Sequence, residues 1–434
     1  MRYGRVVWVL GLVMFGMLGL CLGLAEGSSA LPVPPAEAPA APRVVTSAQT
    51  TRFYTTTIVI PTYPYTEHLT TALNATYNIT YPVLDWDAYE QAASEPVSVT
   101  YELLVMENDY LTVTLLPALG GRVYQIIDKA TGENHLYQNP VIKPTRWGPP
   151  EQGWWLAAGG IEWCLPVEEH GYEWGVPWAW EALTSTRGVT VTVRDSDAPD
   201  RLRAEIALFL PADRAALNVT PRLENPTAAA IDYKFWMNAA LAPGAANLPS
   251  AETEFIFNAA RVAIHSTGDS RLPGAGNPPT APDHVISWPV YQGVDYSRLG
   301  NWREWIGFFE YPQAMDDFVG LYDHARHVGM ARVFPHEIAR GAKGFGYGWE
   351  SAIDWHYWTD VKSGGVEIHG GVAPTFWDTA TLAAGEVLSW TESWYPVRDM
   401  AGLSHASEEA ALHAEIVSET LRIDVRSTIT RAEG

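Results

Sequence analysis

Cysteine is almost absent from this sequence, which limits how the fold can be cross-linked. The 434 residues include only two cysteines, Cys21 and Cys164. Cys21 lies in an N-terminal apolar segment. If that segment is removed, Cys164 remains alone and no intrachain disulfide can form. Two cysteines are also too few for a cysteine-based zinc site.

Positive charge is scarce as well. The chain has 28 lysines and arginines against 50 aspartates and glutamates, which gives a net charge of −22. A surface this acidic repels phosphate backbones, so nucleic acid is not expected as a partner, whereas neutral sugars and cationic ligands remain open. The acidity is equally consistent with an exported protein that only needs to stay soluble.

Several catalytic signatures are missing too. No serine nucleophile elbow, zinc-binding helix motif or dinucleotide fingerprint occurs. The glycine pairs Gly120-Gly121 and Gly159-Gly160 lack the spacing and the following helix of a phosphate loop. Hydrophobic residues make up 47% of the chain and charged residues only 18%. This composition supports one large β domain or two fused sandwiches rather than a disordered protein.

The N-terminus has the residue order of a bacterial-type secretory signal. Arg2 and Arg5 precede an apolar run over residues 6–25, and small residues follow. The run is long enough to span a bilayer if it is retained, so residues 1–25 are either a signal peptide or a membrane anchor. Residues 26–46 form a Pro/Ala-rich linker. We therefore expect a secreted or cell-surface protein that meets a membrane only through residues 6–25.

Beyond the linker the pattern is that of strands. Segments such as TTRFYTTTIVI, YELLVMENDYLTVTLLP, GVTVTVRD and LRAEIALFL combine β-branched residues with two-residue alternation. Residues 107–109 predict a hairpin turn. This pattern predicts an all-β protein with few helices, comprising a small N-terminal β segment at 47–95 and a large domain at 96–400. Helix-forming residues at 405–416 predict one helix, followed by an extended tail, in residues 401–434.

Tryptophan is concentrated in one stretch. Seven of the chain's 19 tryptophans are Trp147, Trp154, Trp155, Trp163, Trp174, Trp178 and Trp180. Indole faces match the C–H faces of pyranose rings, and carboxylates accept hydrogen bonds from vicinal hydroxyls. The same stretch carries five glutamates and a histidine, namely Glu162, Glu168, Glu169, Glu173, Glu181 and His170. The alternative is that these tryptophans simply fill a core between two sheets.

A second chemical pattern lies near the end of the large domain. In the segment VEIH, Glu367 and His369 are two residues apart, so on a strand they share a face. A glutamate and a histidine on one face supply a base and an acid near neutral pH. They are equally consistent with a hydrogen-bonded polar pair on an exposed sheet face.

Several motifs together resemble a known family. They are LLPALGGRVYQIIDKATGENHLYQNPVIKP, GGIEWCLPVEEH, FWMNAA, FVGLYDHARHVGMARV, GAKGFGYGW, GGVEIHGGVAPT and ESWYPV, in this order. Over roughly residues 90–398 the chain is similar to the family called domain of unknown function 5107 (DUF5107). The resemblance implies a galactose mutarotase-like β-supersandwich with a carbohydrate-facing concave sheet. Carried over motif by motif, it implies functional positions at Arg122, Glu162, His170, Asn238, Lys343, Trp349 and Glu367.

The chain departs from that family pattern at three places. Gly171 follows His170 where the family has a second histidine, and Ala342 precedes Lys343 where the family has a second lysine. Residues 373–376 replace a polar segment. These departures indicate an altered substrate or a lost activity.

Two main hypotheses follow. In the first, the protein is a sugar-converting enzyme. As a mutarotase it would use Glu367 as base and His170 as acid, and as a glycosidase it would use Glu162 with Glu367. Substrate contacts are then expected from Arg122, Trp154, Trp155, Trp163, Asn238, Lys343, Trp349 and His369. In the second, the protein binds a mono- or oligosaccharide at the cell surface without catalysis.

The two hypotheses predict different geometries. Convergence of Glu162, His170 and Glu367 in one pocket lined by Trp154, Trp155 or Trp163 favours catalysis. A flat aromatic strip with scattered carboxylates favours binding alone. No cofactor is expected, although a calcium site remains a weaker option, because His324 and His327 follow Asp323 and His336 precedes Glu337.

Overall fold

The computed structural model describes residues 51–429. The predicted signal or anchor segment and the linker lie outside these residues. One α-helix, α1 (Trp86–Ala92), occurs in the described part, together with short 3-10 helices at Thr66–His68, Leu299–Asn301 and Trp355–Tyr357. No helix within 51–429 is long and apolar enough to cross a membrane.

Strands make up most of the described chain. In order they are β1 (Arg52–Thr62), β2 (Leu69–Asn74), β3 (Ile79–Leu84), β4 (Val97–Glu107), β5 (Leu111–Leu116), β6 (Arg122–Asp128), β7 (Glu133–Asn134), β8 (Pro144–Thr145), β9 (Trp155–Leu156), β10 (Gly160–Cys164), β11 (Ala179–Ser185), β12 (Gly188–Arg194), β13 (Arg203–Pro211), β14 (Leu217–Glu224), β15 (Ile231–Tyr233), β16 (Trp236–Leu241), β17 (Thr253–Phe257), β18 (Arg261–Thr267), β19 (Val285–Ser287), β20 (Val290–Tyr291), β21 (Val294–Asp295), β22 (Ile306–Glu310), β23 (Phe318–Asp323), β24 (Val328–Val333), β25 (Gly341–Gly346), β26 (Val366–Gly371), β27 (Ala380–Leu382), β28 (Val387–Ser389), β29 (Glu392–Arg398), β30 (His405–Ala406), β31 (Ala410–Val417) and β32 (Thr420–Ser427).

Two large antiparallel sheets dominate the described residues. The first has the order β1-β4-β5-β6-β10-β16-β26-β25-β22-β18-β19, with β7 beside β6. The second has the order β11-β12-β13-β14-β29-β24-β23-β17, with β28 beside β14. The sequence-based prediction of an all-β fold with large antiparallel sheets is therefore confirmed.

The centre of the first sheet has one apolar face and one polar face. Ile161 on β10, Met237 on β16 and Ile368 on β26 are fully buried and belong to the same hydrophobic core as Val191 and Val219 of the second sheet. Because neighbouring residues on a strand point to opposite faces, the residues between them point away from this core. This alternation sends the side chains of Glu162, Asn238, Glu367 and His369 to the other face of the sheet.

The strands predicted from residue alternation are present. TTRFYTTTIVI corresponds to β1, GVTVTVRD to β12 and LRAEIALFL to β13. The predicted hairpin joins β4 to β5, and Oδ1 of Asn108 accepts hydrogen bonds from the backbone N–H groups of Tyr110 and Leu111, at 2.8 and 2.7 Å. The small N-terminal β segment is continuous with the large domain, because β1 pairs along its whole length with β4.

The helix predicted at 405–416 is wrong. Residues 410–417 form β31, which pairs with β30 and β32 in a three-stranded sheet. Ala411 on β31 is fully buried against Tyr395 and Val397 of the second sheet. Helix propensities differ by only tenths of a kcal/mol per residue, so tertiary pairing overrides them. The extended character predicted for the following TLRIDVRS is confirmed by β32.

Candidate functional site

Adjacent strands bring four polar side chains into one row on the face of the first sheet that points away from the core. In the strand register Glu162 pairs with Asn238, Asn238 with His369, and His369 with Lys343. All four residues are at least 97% buried. These residues are far apart in the sequence, and the order β10-β16-β26-β25 alone makes them neighbours.

His170 reaches this row from the loop that follows β10. Its Nδ1 lies 2.6 Å from Oε1 of Glu162, and its ring stacks on Trp155 with 3.9 Å between ring centroids. The loop folds back tightly at Gly171, which has φ +66°, and a Cβ there would lie 2.3 Å from the backbone N of Leu165. The second histidine of the family pattern therefore cannot occupy this backbone.

Glu162 is surrounded by donors. Besides His170, its oxygens lie near Nε1 of Trp155 (3.3 Å), Nη2 of Arg122 (3.4 Å) and Nδ2 of Asn238 (3.5 Å). Arg122 is itself held by three backbone carbonyls, those of Leu119, Gly159 and Trp174. Such a web of buried, hydrogen-bonded charges fixes the Glu162 carboxylate and, through it, the His170 ring.

A second set of contacts surrounds Glu367. Its Oε2 lies 2.9 Å from Nε2 of His369, and the same nitrogen lies 3.3 Å from Nζ of Lys343. Lys343 also forms a 3.3 Å ion pair with Glu169. Two buried polar atoms of the site, Oδ1 of Asn238 and Nδ1 of His369, find no hydrogen-bond partner within the described residues.

Burial and neighbouring charges shift the pKa values of three site residues. Burial raises the pKa of Glu367 above its usual value, although Lys343 and His170 oppose this shift. Burial disfavours a charged His170, but the carboxylates of Glu162, Glu169 and Glu367, with Glu162 contributing most, together raise the pKa of His170. Burial and Lys343 together hold the pKa of His369 well below 6.5. The site thus offers a carboxylate that is more basic than usual, beside an imidazole that holds its proton.

These groups open into one cleft of about 780 Å³. Trp155, His170 and Glu367 line its base together with Tyr347, and Glu162 and Asn238 lie directly beneath them. Aromatic rings form much of the remaining wall. They are Trp147, Trp305, Phe345, Tyr357, Phe376 and Trp377.

The tryptophans predicted to contact substrate lie in different places. Trp155 lines the cleft. Trp163 lies on the opposite face of β10, buried in the core between the sheets, with Nε1 3.2 Å from the Gly121 carbonyl. Trp154 is buried in a second hydrophobic cluster against Trp174. Trp349 is 44% exposed and lines a neighbouring groove. The alternative of core filling therefore holds for Trp154 and Trp163.

Sequence reasoning missed three site residues. Glu169 pairs with Lys343, while His265 and Tyr347 line the cleft. Burial lowers the pKa of His265 to about 4 and raises that of Tyr347 well above 10. Glu169 was visible beside His170, but its backbone has φ +63°, and the sequence gives no sign of that conformation.

Other glutamates of the tryptophan-rich stretch have separate partners. Glu173 forms a bidentate pair with Arg201, with contacts of 3.0 and 2.7 Å. Glu168 pairs with Lys234 at 2.9 Å. Glu181 lies on the exposed strand β11 and contacts Arg194 at 3.6 Å.

The residues considered for calcium do not converge. Asp323 accepts hydrogen bonds from Ser250 and Arg326, His324 contacts Glu254 at 2.7 Å, and His336 contacts Asp317 at 2.6 Å. Within residues 51–429 no group of three or more His, Cys, Asp or Glu side chains has the arrangement of a metal site.

Comparison with known proteins identifies the family. Residues 76–397 match the model of the family described as Domain of unknown function (DUF5107). This chain belongs to that family. It is also similar in structure to a TPR-domain containing protein from Parabacteroides distasonis, with a TM-score of 0.63 and 22% identity over 80% of this chain. The match spans only 55% of that protein's length.

Two galactose mutarotase-like proteins are more distant. The one from Clostridium acetobutylicum has a TM-score of 0.48 and 10% identity, over 69% of this chain and 96% of the other. The one from Lactobacillus casei has a TM-score of 0.42 and 10% identity, over 68% of this chain and 99% of the other.

Proposed function

We propose that this DUF5107 protein is a carbohydrate-active enzyme that opens and closes the ring of an aldose at its anomeric carbon, as an aldose 1-epimerase does. The observation that supports this reading is the convergence of His170 and Glu367 on one cleft with aromatic walls, with Glu162 held against His170 beneath it. A protein that only held sugar would need the aromatic surface but not a basic carboxylate beside a protonated imidazole.

In the proposed reaction Glu367 is the base and His170 is the acid. The Glu367 carboxylate takes the proton of the anomeric hydroxyl, a C=O bond forms at C1, and the bond between C1 and the ring oxygen breaks. His170 gives its proton to that ring oxygen. Rotation of the open-chain aldehyde about C1–C2 and closure with the reverse proton transfers yield the other anomer. The raised pKa values of both groups suit these roles near neutral pH.

A sugar hydroxyl matches an unpaired polar atom of the site. Buried polar atoms without a partner are unfavourable by about 1–3 kcal/mol each. One hydroxyl can donate to Oδ1 of Asn238, which has no partner within the described residues and belongs to a residue that lines the recess beneath the cleft. Aromatic side chains along the wall, such as Trp147 and Tyr357, supply apolar faces for pyranose C–H groups.

Glycoside hydrolysis is less well supported. It requires a second carboxylate that is free to act as nucleophile, acid or water-activating base. Glu162 is the nearest counterpart of Glu367 on the sheet, but donors from His170, Trp155, Arg122 and Asn238 surround its oxygens. Its geometry suits a residue that orients the His170 imidazole and stabilises its protonated form.

The test is anomer exchange measured directly. Freshly dissolved single anomers of common aldoses are followed by polarimetry, and by exchange NMR at equilibrium, with the purified protein. We expect accelerated exchange for at least one aldose, and a loss of at least about 100-fold in Glu367→Gln and His170→Asn. Sugar binding without any acceleration would overturn the enzymatic proposal and favour a carbohydrate-binding surface protein.

Export is part of the proposal and rests on the sequence alone. Residues 1–25 carry the charged and apolar order of a secretory signal, and residues 26–46 form a Pro/Ala-rich linker. Fractionation of expressing cells, with N-terminal sequencing of the mature protein, distinguishes a cleaved signal from a retained anchor. Full-length protein in the cytoplasm would contradict export.

A further inference from the structure

The cleft extends well beyond the acid–base pair at its base. Glu367 belongs to β26, whereas His265 and Ser266, which line the same cleft, belong to β18. The strand order β26-β25-β22-β18 places them three strand spacings apart. At about 4.8 Å per spacing, the cleft floor runs roughly 14 Å past Glu367.

One sugar ring does not fill this length. A linked pyranose unit advances by roughly 5 Å, because the ring and its glycosidic bond together span about four bonds of about 1.5 Å, which are not collinear. The cavity of about 780 Å³ falls within the range of ~300–1,000 Å³ that is typical for drug-sized ligands. A hexose, with about 12 non-hydrogen atoms, is smaller than most such ligands. The floor beyond Glu367 has room for two more units.

The far end of the cleft is aromatic. Trp305 immediately precedes β22, and Trp377 packs against Phe309 with 5.5 Å between ring centroids. Nε1 of Trp377 donates to the Pro279 carbonyl at 3.2 Å, which fixes the indole. Anchored aromatic rings beside a polar floor are suited to stacking with sugar rings.

The far end also carries little charge. Its other lining residues include Ser266, Pro278 and Pro279. Burial lowers the pKa of His265 to about 4, so that ring is neutral at neutral pH. The two carboxylates near this end are both paired with lysines, Glu169 with Lys343 and Glu168 with Lys234. An uncharged ligand therefore fits this end better than an anionic one.

We infer that the ligand is a neutral oligosaccharide of two or more units. Its reducing-end unit lies against Glu367 and His170, and the following units extend over β25 and β22 toward Trp305 and Trp377. This inference rests on the proposed function, since it assigns the end unit to the proposed acid–base site. It assigns Trp305 and Trp377 to binding the units that do not react.

The experiment compares chain lengths. A glycan array of hexoses, pentoses and their oligomers identifies a sugar series. Titration calorimetry then compares the monosaccharide with its tetrasaccharide on the full protein. We expect the tetrasaccharide to bind at least tenfold more tightly. Trp377→Ala and Trp305→Ala are expected to remove that advantage without changing monosaccharide affinity.

Control variants separate the outcomes. Trp377→Phe keeps an aromatic ring and is expected to retain most of the advantage, while Trp180→Ala removes an indole on β11, away from the cleft, and is expected to retain all of it. Equal affinity for both chain lengths, or equal losses for both in Trp377→Ala, overturns this inference alone. If no sugar of any length binds, the proposed function fails as well.

Discussion

Nδ1 of His170 lies 2.6 Å from Oε1 of Glu162, and both side chains are buried. The pair joins a loop residue to the central strand β10, so the position of the proposed acid depends on a residue that is not proposed to touch the reacting atoms. Glu162 both orients the imidazole and stabilises its charged form. Its effect is therefore expected in the pH dependence of activity.

Replacing Glu162 by Gln should shift the alkaline limb of the pH profile. The carboxylate raises the pKa of His170, so its removal lowers that pKa, and the acid loses its proton at a lower pH. Measured as kcat/KM against pH, the alkaline limb should move to lower pH. Glu181→Gln, a change on the exposed strand β11, is the control and should leave the profile unchanged. An unchanged alkaline limb in Glu162→Gln would argue against His170 as the acid.

The same pair makes stability depend on pH. A histidine whose pKa is raised on folding contributes stability that is fully present below its unfolded pKa, near 6.5, and is lost as the pH rises through the folded value. The difference in unfolding free energy between the wild type and His170→Asn should therefore shrink as the pH rises from about 6 toward 9. Urea denaturation at a series of pH values measures it. A difference that grew with pH would contradict a raised pKa.

Lys343 should control the acidic limb of the pH profile of kcat/KM. Its ammonium lowers the pKa of Glu367, against the larger effect of burial. In Lys343→Met the pKa of Glu367 should rise further, so the acidic limb of kcat/KM should move to higher pH. Glu169→Gln should move it the other way, because Glu169 raises the pKa of Glu367. Shifts of both variants in one direction would exclude this electrostatic account.

The sequence predicted the site in part because strand periodicity is local. Glu367 and His369 were assigned to one face by their two-residue spacing, and on β26 their side chains meet at 2.9 Å. The pairing of β10 with β16 and of β16 with β26 is not encoded in any spacing. Only the folded sheet order therefore brings Glu162 beside Asn238.

Aromatic composition was a weaker guide than periodicity. Trp154 and Trp155 are adjacent, and both were expected to contact sugar, but adjacent residues in extended chain point to opposite sides. Both belong to one hydrophobic cluster, but Trp155 also lines the cleft, whereas Trp154 packs edge-on against Trp174. Composition cannot choose between the two sides. Composition also misled at residues 405–416. The alanine and glutamate content there predicted a helix, but residues 410–417 pair as a strand.

The two kinds of tryptophan should respond differently to truncation. Trp163→Ala removes a fully buried side chain from the core between the sheets, which should lower the free energy of unfolding by roughly 3–5 kcal/mol. Trp155→Ala also removes a buried ring, but one that stacks on His170. It should lower kcat by a larger factor than Trp163→Ala does, measured at a temperature where both variants remain folded. Equal catalytic losses would mean that Trp155 is only a core residue.

Introducing a histidine at position 171 should damage this protein. Gly171 has φ +66°, and a Cβ there would lie 2.3 Å from N of Leu165 and 2.6 Å from its O. Side chains are disfavoured at this φ, and a contact this short forces the backbone to move. Gly171→His should therefore lower the free energy of unfolding by about 2 kcal/mol or more and displace His170 from Glu162.

Gly132→Ala is a matched control, because Gly132 also has a positive φ, +75°, but open space around its Cβ position. It should be destabilising by only about 1 kcal/mol, from backbone strain alone. If Gly171→His is no less stable than Gly132→Ala, the loop adapts to the side chain, and the missing histidine then reflects the ligand rather than the backbone.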